Sequence, residues 1–576
     1  MTTVHVRSDL DGIPRGVDVV CTAMGAPESC HIKPCFVGHE RGTVRWHTRF
    51  SLGEQLWLKS MRRTSHAMFT RDFLWGASEA GFQFEMGDAA GKHVDPNSDW
   101  FKWVHDPSNI GGKVVSGDLP EDGINYWELY SSDHDLAKSM GMNAYRIGVE
   151  WSRVFPKSTT GLQIGVKTSP DGAISEVDMG MADIQALEEM ADGEAVRHYG
   201  AVIEDLRSKG LKVIVCLNHF TLPLWIHDPI AVRDSGLRKG PRGWYDAGTV
   251  VEFTKFAAFV AAKLGDRVDV WATLNEPMVV AEEGYLEAQS GFPPGINMNI
   301  PAAKRVARNM VNAHARAYDA IKEFDTRRAD GDSPSAAWIG VIHNMIPAQP
   351  LNPSDRLDQE AAALMDRFHN RLFAEATISG WFDSNLNGIR DGDEAHPDFG
   401  NRLDWLGVNY YTRYVVRGKS PILARLFAGL SVMPEQVEGY GYACEPKSVS
   451  LAGRPTSEFR QELYPEGLGD SLVEASEFGR PIYITENGTA DSDDSYRPKY
   501  LLEHLKVAEK LVDENKIDLR GYLHWSLTDN YEWAQGFDMK FGLAAVDLKT
   551  KARKARRSAD VFRRIAEGGT VSGIAV

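Results

Sequence analysis

The chain has 576 residues, of which 43% are hydrophobic and 25% charged, and its formal net charge at pH 7 is −16. This length exceeds an average domain but suits one large α/β barrel with long loops. The negative charge argues against nucleic acid or an anionic membrane as a partner. We find no apolar run long enough for a membrane helix and no apolar leader, and we expect a cytoplasmic protein.

Residues 1–67 differ from the remainder of the chain. They show no sustained helical or strand period and carry nine Lys and Arg against six Asp and Glu. Cys21, Cys30 and Cys35 lie here beside His31, but no second pair has metal-ligand spacing, so chance is favoured over a small metal site. We predict that residues 1–67 are a disordered extension or an upstream stretch foreign to the folded protein. A small regulatory domain is the alternative, and it lacks a visible core.

From Phe69 onward, short apolar strands alternate with amphipathic helices, which predicts a parallel sheet. The strand candidates are residues 73–80, 142–151, 212–220, 268–277, 337–345, 403–412, 481–487 and 520–527. The helix candidates are residues 126–140, 194–209, 250–264, 302–324, 355–379, 467–478, 499–514 and 558–567. Eight such alternations predict a single (β/α)8 TIM barrel with long βα loops over residues 68–576, because an open doubly wound sheet usually has fewer strands.

Two long insertions interrupt this pattern. The first insertion spans residues 157–193. From Glu176 to Glu194, just beyond its end, the chain carries seven acidic residues and no Lys or Arg. We interpret this segment as a solvated helical face, with a subunit contact as the alternative. Residues 413–466 follow the sixth strand, so we expect them to arch over the mouth of the barrel and shape a substrate entrance.

Two predicted strands end in a carboxylate. The apolar run Ile482–Thr485 leads into Glu486, and the fourth strand leads into Glu276, where Pro277 stops the ladder. Either acid alone could cap a loop or pair with a surface cation. Together, at the mouth of one barrel, they fit glycoside hydrolysis, in which one acid protonates the leaving oxygen and one carboxylate meets the oxocarbenium-like carbon. A separation of about 5 Å would predict retention of configuration.

Further motifs follow the other strands in order. They are Phe73-Leu74-Trp75-Gly76 with Gln83, Glu150-Trp151-Ser152-Arg153, Asn218-His219-Phe220, Asn275-Glu276-Pro277, Asn409-Tyr410-Tyr411-Thr412, Thr485-Glu486-Asn487-Gly488 and His524-Trp525-Ser526-Leu527 through Glu532-Trp533. In this joint set the chain resembles glycoside hydrolase family 1, the retaining β-glycosidases, and within it the archaeal branch. The resemblance covers about Phe69 to the carboxyl terminus and marks residues 68–576 as the catalytic domain; residues 1–67 have no counterpart.

The resemblance implies a role for each matching residue. Glu486 corresponds to the nucleophile and Glu276 to the general acid and later base, with Tyr411 and Arg146 beside the nucleophile. Asn275 corresponds to the residue that binds the sugar 2-hydroxyl, and Asn409 supports the site from behind. The remaining substrate-binding residues implied are Gln83, His219, Trp525, Glu532 and Trp533. Taken alone, His219 and Trp525 would more often be core residues. Glu532 argues against 6-phosphorylated sugars, because a carboxylate repels a phosphate.

We therefore predict a retaining exo-β-glycosidase that removes terminal glucosyl, galactosyl or fucosyl units from small β-glycosides or oligosaccharides. No cofactor and no metal ion are expected. Tetramers occur in the archaeal branch, so a homo-oligomer, dimer or tetramer, is one expectation. A mainly transglycosylating enzyme is the close alternative, and a catalytically silent sugar-binding barrel is the remote one.

Overall fold

The computed structural model describes residues 3–5, 20–22, 69–331, 333–419, 422 and 430–576. The chain divides into two units, Met1–Ser65 and His66–Val576. In the first unit, the strands Thr3–His5 and Val20–Thr22 pair antiparallel. The other residues of the predicted extension lie outside the described part of the chain, so the interpretation of residues 1–67 stays a prediction.

The second unit contains a closed barrel of eight parallel strands, which confirms the predicted fold. Its strands are β1 (Leu74–Ser78), β2 (Ala144–Gly148), β3 (Lys212–Cys216), β4 (Val270–Asn275), β5 (Trp338–Asn344), β6 (Trp405–Tyr410), β7 (Ile482–Asn487) and β8 (Leu519–His524). Each strand pairs with its neighbours in chain order, and β8 closes onto β1. The observed strands are shorter than predicted at several carboxyl ends. Phe220 and Glu276, for example, have φ of +70° and +48°, which an extended strand does not allow.

Eight helices surround the barrel close to their predicted positions. They are α1 (Tyr126–Ser139), α2 (Gly193–Ser208), α3 (Gly248–Leu264), α4 (Ile300–Phe324), α5 (Arg356–Asp366 continuing through Leu372–Ser379), α6 (Pro465–Glu477), α7 (Arg497–Asp513) and α8 (Arg557–Gly568). α4 begins where the side chain of Asn299 accepts a hydrogen bond from the amide of Ala302, at 3.2 Å. α5 differs from the prediction of one regular helix, because residues Arg367–Arg371 form a π-helical turn inside it.

The barrel is filled by apolar side chains that point inward from the strands. This inner cluster contains Ile214, Cys216, Val270, Ala272, Ile342, Trp405, Tyr483 and Leu523. Strands β4, β6 and β7 are buried at every residue, because the helices cover their outer face. Polar residues at the carboxyl ends of these strands are therefore held on a rigid, packed base.

Smaller elements occupy the long loops. The short helices are Gly81–Phe84, Asp99–Val104, Pro107–Gly111, Trp151–Val154, Met181–Met190, Pro229–Ser235 and Pro277–Tyr285, and Ala544–Val546 pairs with Arg553–Ala555. The acidic insertion forms a hairpin, Gly165–Thr168 with Ile174–Asp178, followed by the helix Met181–Met190. This helix buries Ile184 and Leu187 and exposes Glu188 and Glu189, as expected for a solvated helical face.

The second insertion extends a small sheet beside the mouth of the barrel. Strand Tyr414–Lys419 pairs with Ala348–Pro350 on one side and with Met433–Gln436 on the other. Gln436, Tyr442 and Gln461 from this insertion line the cavity at the mouth, in agreement with the predicted entrance role.

Within the described residues, no helix combines the length and the apolar character that crossing a bilayer requires. The cytoplasmic location stays a prediction.

Candidate active site

A cavity of about 300 Å³ opens at the carboxyl ends of the barrel strands. Seven of the ten predicted site residues line it: His219, Glu276, Tyr411, Glu486, Trp525, Glu532 and Trp533. Gln83, Arg146 and Asn275 lie behind this lining and are buried, with at most 1% of each residue exposed. The structure thus brings all ten residues into one neighbourhood, although they come from seven of the eight strands or the segments that follow them.

Glu486 is the fifth residue of β7 and receives two donors. Arg146, fully buried on β2, donates to Oε1, and the hydroxyl of Tyr411 donates to Oε2 at 2.6 Å. Gly488 lets the chain pass close to β8, since a Cβ at this position would lie 1.9 Å from the carbonyl oxygen of Trp525. A guanidinium and a hydroxyl together favour the ionised carboxylate, which is the form a nucleophile needs.

Glu276 follows β4 in a left-handed conformation and occupies the N-cap position of the helix that starts at Pro277, without a capping hydrogen bond from its side chain. Its Oε1 accepts hydrogen bonds from Asn409 at 2.7 Å and from Asn344 at 3.1 Å. Burial, and then the neighbouring carboxylate of Glu486, raises the pKa of Glu276 to about 7. The hydrogen-bond donors to Glu276 are both neutral amides, whereas one of the donors to Glu486 is a cation. The surroundings of the two acids therefore favour different protonation states.

A buried amide network joins the two acids. The side-chain oxygen of Asn275 accepts from Arg146 at 3.3 Å and from Asn409 at 3.2 Å. Its amide nitrogen lies 3.3 Å from Nε2 of His219. Asn409 therefore contacts both Asn275 and Glu276, which agrees with its predicted place behind the site.

Three rings form one wall of the cavity. His219 stacks against Trp525 with centroids 5.8 Å apart and against Trp533 at 5.7 Å, and both pairs are within 18° of parallel. Trp533 also stacks on Phe82 at 5.8 Å. Burial, and then the charge of Arg146, lowers the pKa of His219 well below its ordinary value, so the imidazole is neutral. Flat indole faces of this kind suit the C–H face of a sugar ring.

Polar groups beside this wall retain hydrogen-bonding capacity. Gln83 donates to Asn530 at 3.1 Å and to Glu532 at 3.4 Å. In the described part of the chain, Oε1 of Gln83 and Nδ1 of His219 are buried without a hydrogen-bond partner. Burial, and then the charge of Glu486, raises the pKa of Glu532 to about 8. Unsatisfied buried groups such as the two atoms in Gln83 and His219 are costly unless a ligand forms the missing hydrogen bonds.

The sequence analysis missed Asn344, which donates to Glu276. It is the last residue of β5, and a polar residue ending a buried strand was the available signal. The sequence analysis also did not predict the residues of the outer rim of the cavity. There, Glu282 accepts a hydrogen bond from His369 at 3.0 Å, and His369 lies in the π-helical turn of α5. No local pattern places a mid-helix histidine in a cavity.

The family comparison agrees with this geometry. The model of glycosyl hydrolase family 1 matches residues 65–167 and 188–570. The chain belongs to this family. The unmatched residues 168–187 lie within the acidic insertion. This family 1 chain is 48% identical to a β-galactosidase from Pyrococcus woesei, over 88% of the chain and 98% of that protein.

Solved structures give the same result. A β-glycosidase from Thermosphaera aggregans superimposes with a TM-score of 0.78 at 42% identity, covering 87% of this chain and 97% of that one. A β-glucosidase mutant, described as derived from a hyperthermophilic tetrameric structure, has a TM-score of 0.75 at 43% identity, with 87% and 96% covered. The chain is a glycoside hydrolase of a retaining β-glycosidase family, and the comparisons lend no support to a mainly transglycosylating enzyme.

Proposed function

We propose that the protein removes single β-linked glucosyl or galactosyl units from non-reducing ends, with Glu486 as nucleophile and Glu276 as acid and base. The observation that carries this proposal is the contrast between the two carboxyls in one cavity. Glu486 is held by a guanidinium and a phenol, and Glu276 by two neutral amides. The roles follow from which carboxyl can be ionised and which can carry a proton at the same pH.

In the first step, Glu276 gives its proton to the glycosidic oxygen while Glu486 attacks the anomeric carbon. The bond between that carbon and the oxygen breaks, the aglycone leaves as an alcohol, and the sugar is esterified to Glu486. Arg146 and Tyr411 hold the attacking carboxylate in place. Asn275 is positioned for the 2-hydroxyl, a contact that strengthens in the transition state.

In the second step, the deprotonated Glu276 takes a proton from water, and the resulting hydroxyl attacks the anomeric carbon. The ester to Glu486 breaks, and two inversions give net retention. Glu276 thus ends with its proton restored, ready for the next cycle. A carboxyl whose pKa is about 7 can both donate and accept near neutral pH, which supports this double role.

The first subsite suits a neutral sugar. Gln83, His219 and Glu532 offer donors and acceptors for ring hydroxyls, and Trp525 and Trp533 offer the apolar face. Because the pKa of Glu532 is about 8, this carboxyl is mostly protonated near neutral pH and can donate a hydrogen bond to a hydroxyl. Its charge opposes a 6-phosphate only at higher pH. The β-galactosidase and β-glucosidase relatives agree with both sugars, so we propose activity on both glucosides and galactosides. Fucosides, which lack the 6-hydroxyl, are included in the proposal as weaker substrates.

A panel of 4-nitrophenyl β-glycosides, with product anomers followed by NMR, tests the proposal. We expect nitrophenol release from the glucoside and galactoside, with the β-anomer formed first. No release above background from folded protein would instead favour a silent sugar-binding barrel. Release with the α-anomer formed first would contradict the nucleophilic role of Glu486.

We also propose that the chain assembles as a homodimer or homotetramer, supported by the relative described as derived from a tetrameric structure. Sedimentation equilibrium of the purified chain measures this. A mass of about 64.0 kDa at all concentrations would identify a monomer and reject the proposal.

A further inference from the structure

A twelve-residue loop outside the active site matches a metal-binding motif. Residues 383–394 read Asp-Ser-Asn-Leu-Asn-Gly-Ile-Arg-Asp-Gly-Asp-Glu and lie between α5 and β6. The first, third, fifth, sixth, ninth and twelfth positions are Asp383, Asn385, Asn387, Gly388, Asp391 and Glu394. In the EF-hand calcium loop, these same positions hold three oxygen ligands, the turn glycine, a water-bridging ligand and the closing bidentate glutamate.

The loop also folds in the way this motif requires. Gly388 has φ +72°, and the carboxylate of Asp383 accepts from its amide at 2.9 Å and from the amide of Asn387 at 3.1 Å. The amide of Asn385 donates to Oε1 of Glu394 at 3.0 Å. The two ends of the loop are therefore drawn together around its interior, with the carbonyl of Ile389 at the seventh position.

The two end residues of the loop are buried carboxylates, which a bound cation would stabilise. Asp383 and Glu394 are each only 1% exposed, although the loop between them is largely exposed. Glu394 receives only neutral donors: Trp381 Nε1 at 3.1 Å, Ser384 Oγ at 3.0 Å and the amide of Asn385. Among the described residues, Glu394 forms no ion pair. Glu394 therefore has no cation in direct contact, and a metal ion would add to the stabilisation that its three neutral donors give.

Among the described residues, Asp383 forms one ion pair, with Arg367, whose Nε lies 3.4 Å from Oδ2. The charge of Lys304 also acts on Asp383 and on Glu394, without an ion pair to either. The guanidinium of Arg367 is shared, because its Nη1 donates to Glu375 at 2.5 Å. Asp391 has no ion pair within the described residues and accepts from Asn385 Nδ2 at 2.8 Å. The three carboxyls of this short loop thus have one direct ion pair, which is shared, and the more distant charge of Lys304.

We propose that residues 383–394 bind one Ca²⁺ ion. Asp383, Asn385, Asn387 and Glu394 supply side-chain oxygens, Ile389 supplies its carbonyl, and Asp391 holds a water ligand. An oxygen-only, flexible donor set favours Ca²⁺ over zinc and over the smaller Mg²⁺. In the described chain, no three His, Cys, Asp or Glu are grouped to hold a metal, which is compatible with a site whose ligands include two amides and a carbonyl. The proposal departs from the expectation of no metal ion.

The ion would stabilise the fold without entering the reaction. The loop joins the carboxyl end of α5 to the start of β6, at the end of the barrel opposite the cavity. Ligand binding to the folded state alone raises its stability. We therefore expect Ca²⁺ to raise the melting temperature while kcat with an aryl glycoside changes little.

Calorimetric titration of the EDTA-stripped full chain with CaCl2 is the test. We expect one Ca²⁺ per chain, a melting temperature higher with Ca²⁺ than with EDTA, and weaker binding of Mg²⁺. Glu394→Gln should weaken Ca²⁺ binding by about 10-fold or more. Asp393→Asn, at the exposed eleventh position, is the matched control and should bind as the unmodified chain does. Asn387→Ala, on an exposed side chain, serves as a second ligand variant if Glu394→Gln does not fold.

Terbium gives an independent readout, because the indole of Trp381 contacts Glu394. Tb³⁺ should show luminescence sensitised by excitation of tryptophan, and added Ca²⁺ should displace it. Trp381→Phe should lose that luminescence and keep the heat of Ca²⁺ binding. Absence of binding and of stabilisation at several millimolar CaCl2 would overturn the proposal, as would equal affinities for the unmodified chain and both ligand variants.

Discussion

At the scale of single residues, the site depends on giving two chemically identical carboxyls different surroundings. Glu486 faces Arg146 and Tyr411, and Glu276 faces Asn409 and Asn344. The first pair of donors lowers the free energy of the charged form more than the second pair does, because a guanidinium carries a full charge. Exchanging the surroundings, and not the acids themselves, would exchange their roles.

Replacement of the nucleophile should be rescued by a small anion. In Glu486→Gly we expect hydrolysis of 4-nitrophenyl β-glucoside to fall by several orders of magnitude. Added formate or azide should restore turnover, because the anion can occupy the vacated carboxylate site beside Arg146 and Tyr411. The rate of nitrophenol release, with and without molar concentrations of the anion, measures this rescue. A folded variant that no anion rescues would show that Glu486 is not the nucleophile.

The acid variant should discriminate between leaving groups. Glu276→Gln should slow hydrolysis of alkyl glucosides far more than that of 2,4-dinitrophenyl glucoside, because only a poor leaving group needs a proton. With the unmodified enzyme, kcat/KM for alkyl glucosides should fall as the pH rises through about 7, since Glu276 loses its proton there. The variant should lack this alkaline limb. Equal losses on both substrates would assign Glu276 another role.

Most of these residues could be predicted because they stand in motifs at strand ends. Glu276 and Glu486 each follow an apolar run, which the sequence displays directly. Asn344 was not predicted, since an asparagine after a strand is equally typical of a turn. The contact of His369 with Glu282 depends on the π-helical turn in α5. It was not predicted, because a π-helical turn inside an α-helix leaves no periodic signal in the sequence.

At the scale of elements, the ends of β7 and β8 must lie close for Glu486 and Trp525 to share one cavity. The sequence predicted both strands and most of the bounds of the helices, because buried parallel strands are continuous apolar runs. It did not predict the hairpin Gly165–Thr168 with Ile174–Asp178. The first of these strands is exposed throughout and the second is buried only at Ile174, so no buried period marks them.

Gly488 makes that close approach of β7 and β8 testable. In Gly488→Ala the new Cβ would lie 1.9 Å from the carbonyl oxygen of Trp525, so the strand ends must separate. We expect a lower melting temperature and at least 10-fold lower kcat/KM. Gly248→Ala is the control, because its Cβ would meet no atom within 4 Å at the start of α3. Activity and stability of Gly488→Ala equal to those of the control would show that the strand ends are not tightly constrained here.

At the scale of the whole molecule, function belongs to the unit His66–Val576, which contains the barrel and the cavity. The family model matches from residue 65 onward. The sequence predicts a boundary near residue 67, because charge and periodicity change together there, and this boundary stays a prediction. The role of the preceding residues could not be predicted, since no core pattern occurs in them.

Deletion of residues 1–60 tests that boundary. We expect the shortened chain to keep its melting temperature within about 2 °C and its kcat/KM within about two-fold, because the barrel closes without these residues. Thermal scans and nitrophenyl glucoside assays of both chains measure this. A large fall in either quantity would make the segment part of the folded unit.

The raised pKa of Glu276 has a calorimetric consequence. At pH 7 about half of the free molecules hold this carboxyl without its proton, because its pKa is about 7. A glycosidic oxygen can only accept a hydrogen bond, so a bound glycoside selects the protonated half. Binding of a non-hydrolysable glycoside should therefore draw up to about half a proton from the buffer. Its apparent binding heat should change with the ionisation enthalpy of that buffer at pH 7, and no longer do so at pH 5.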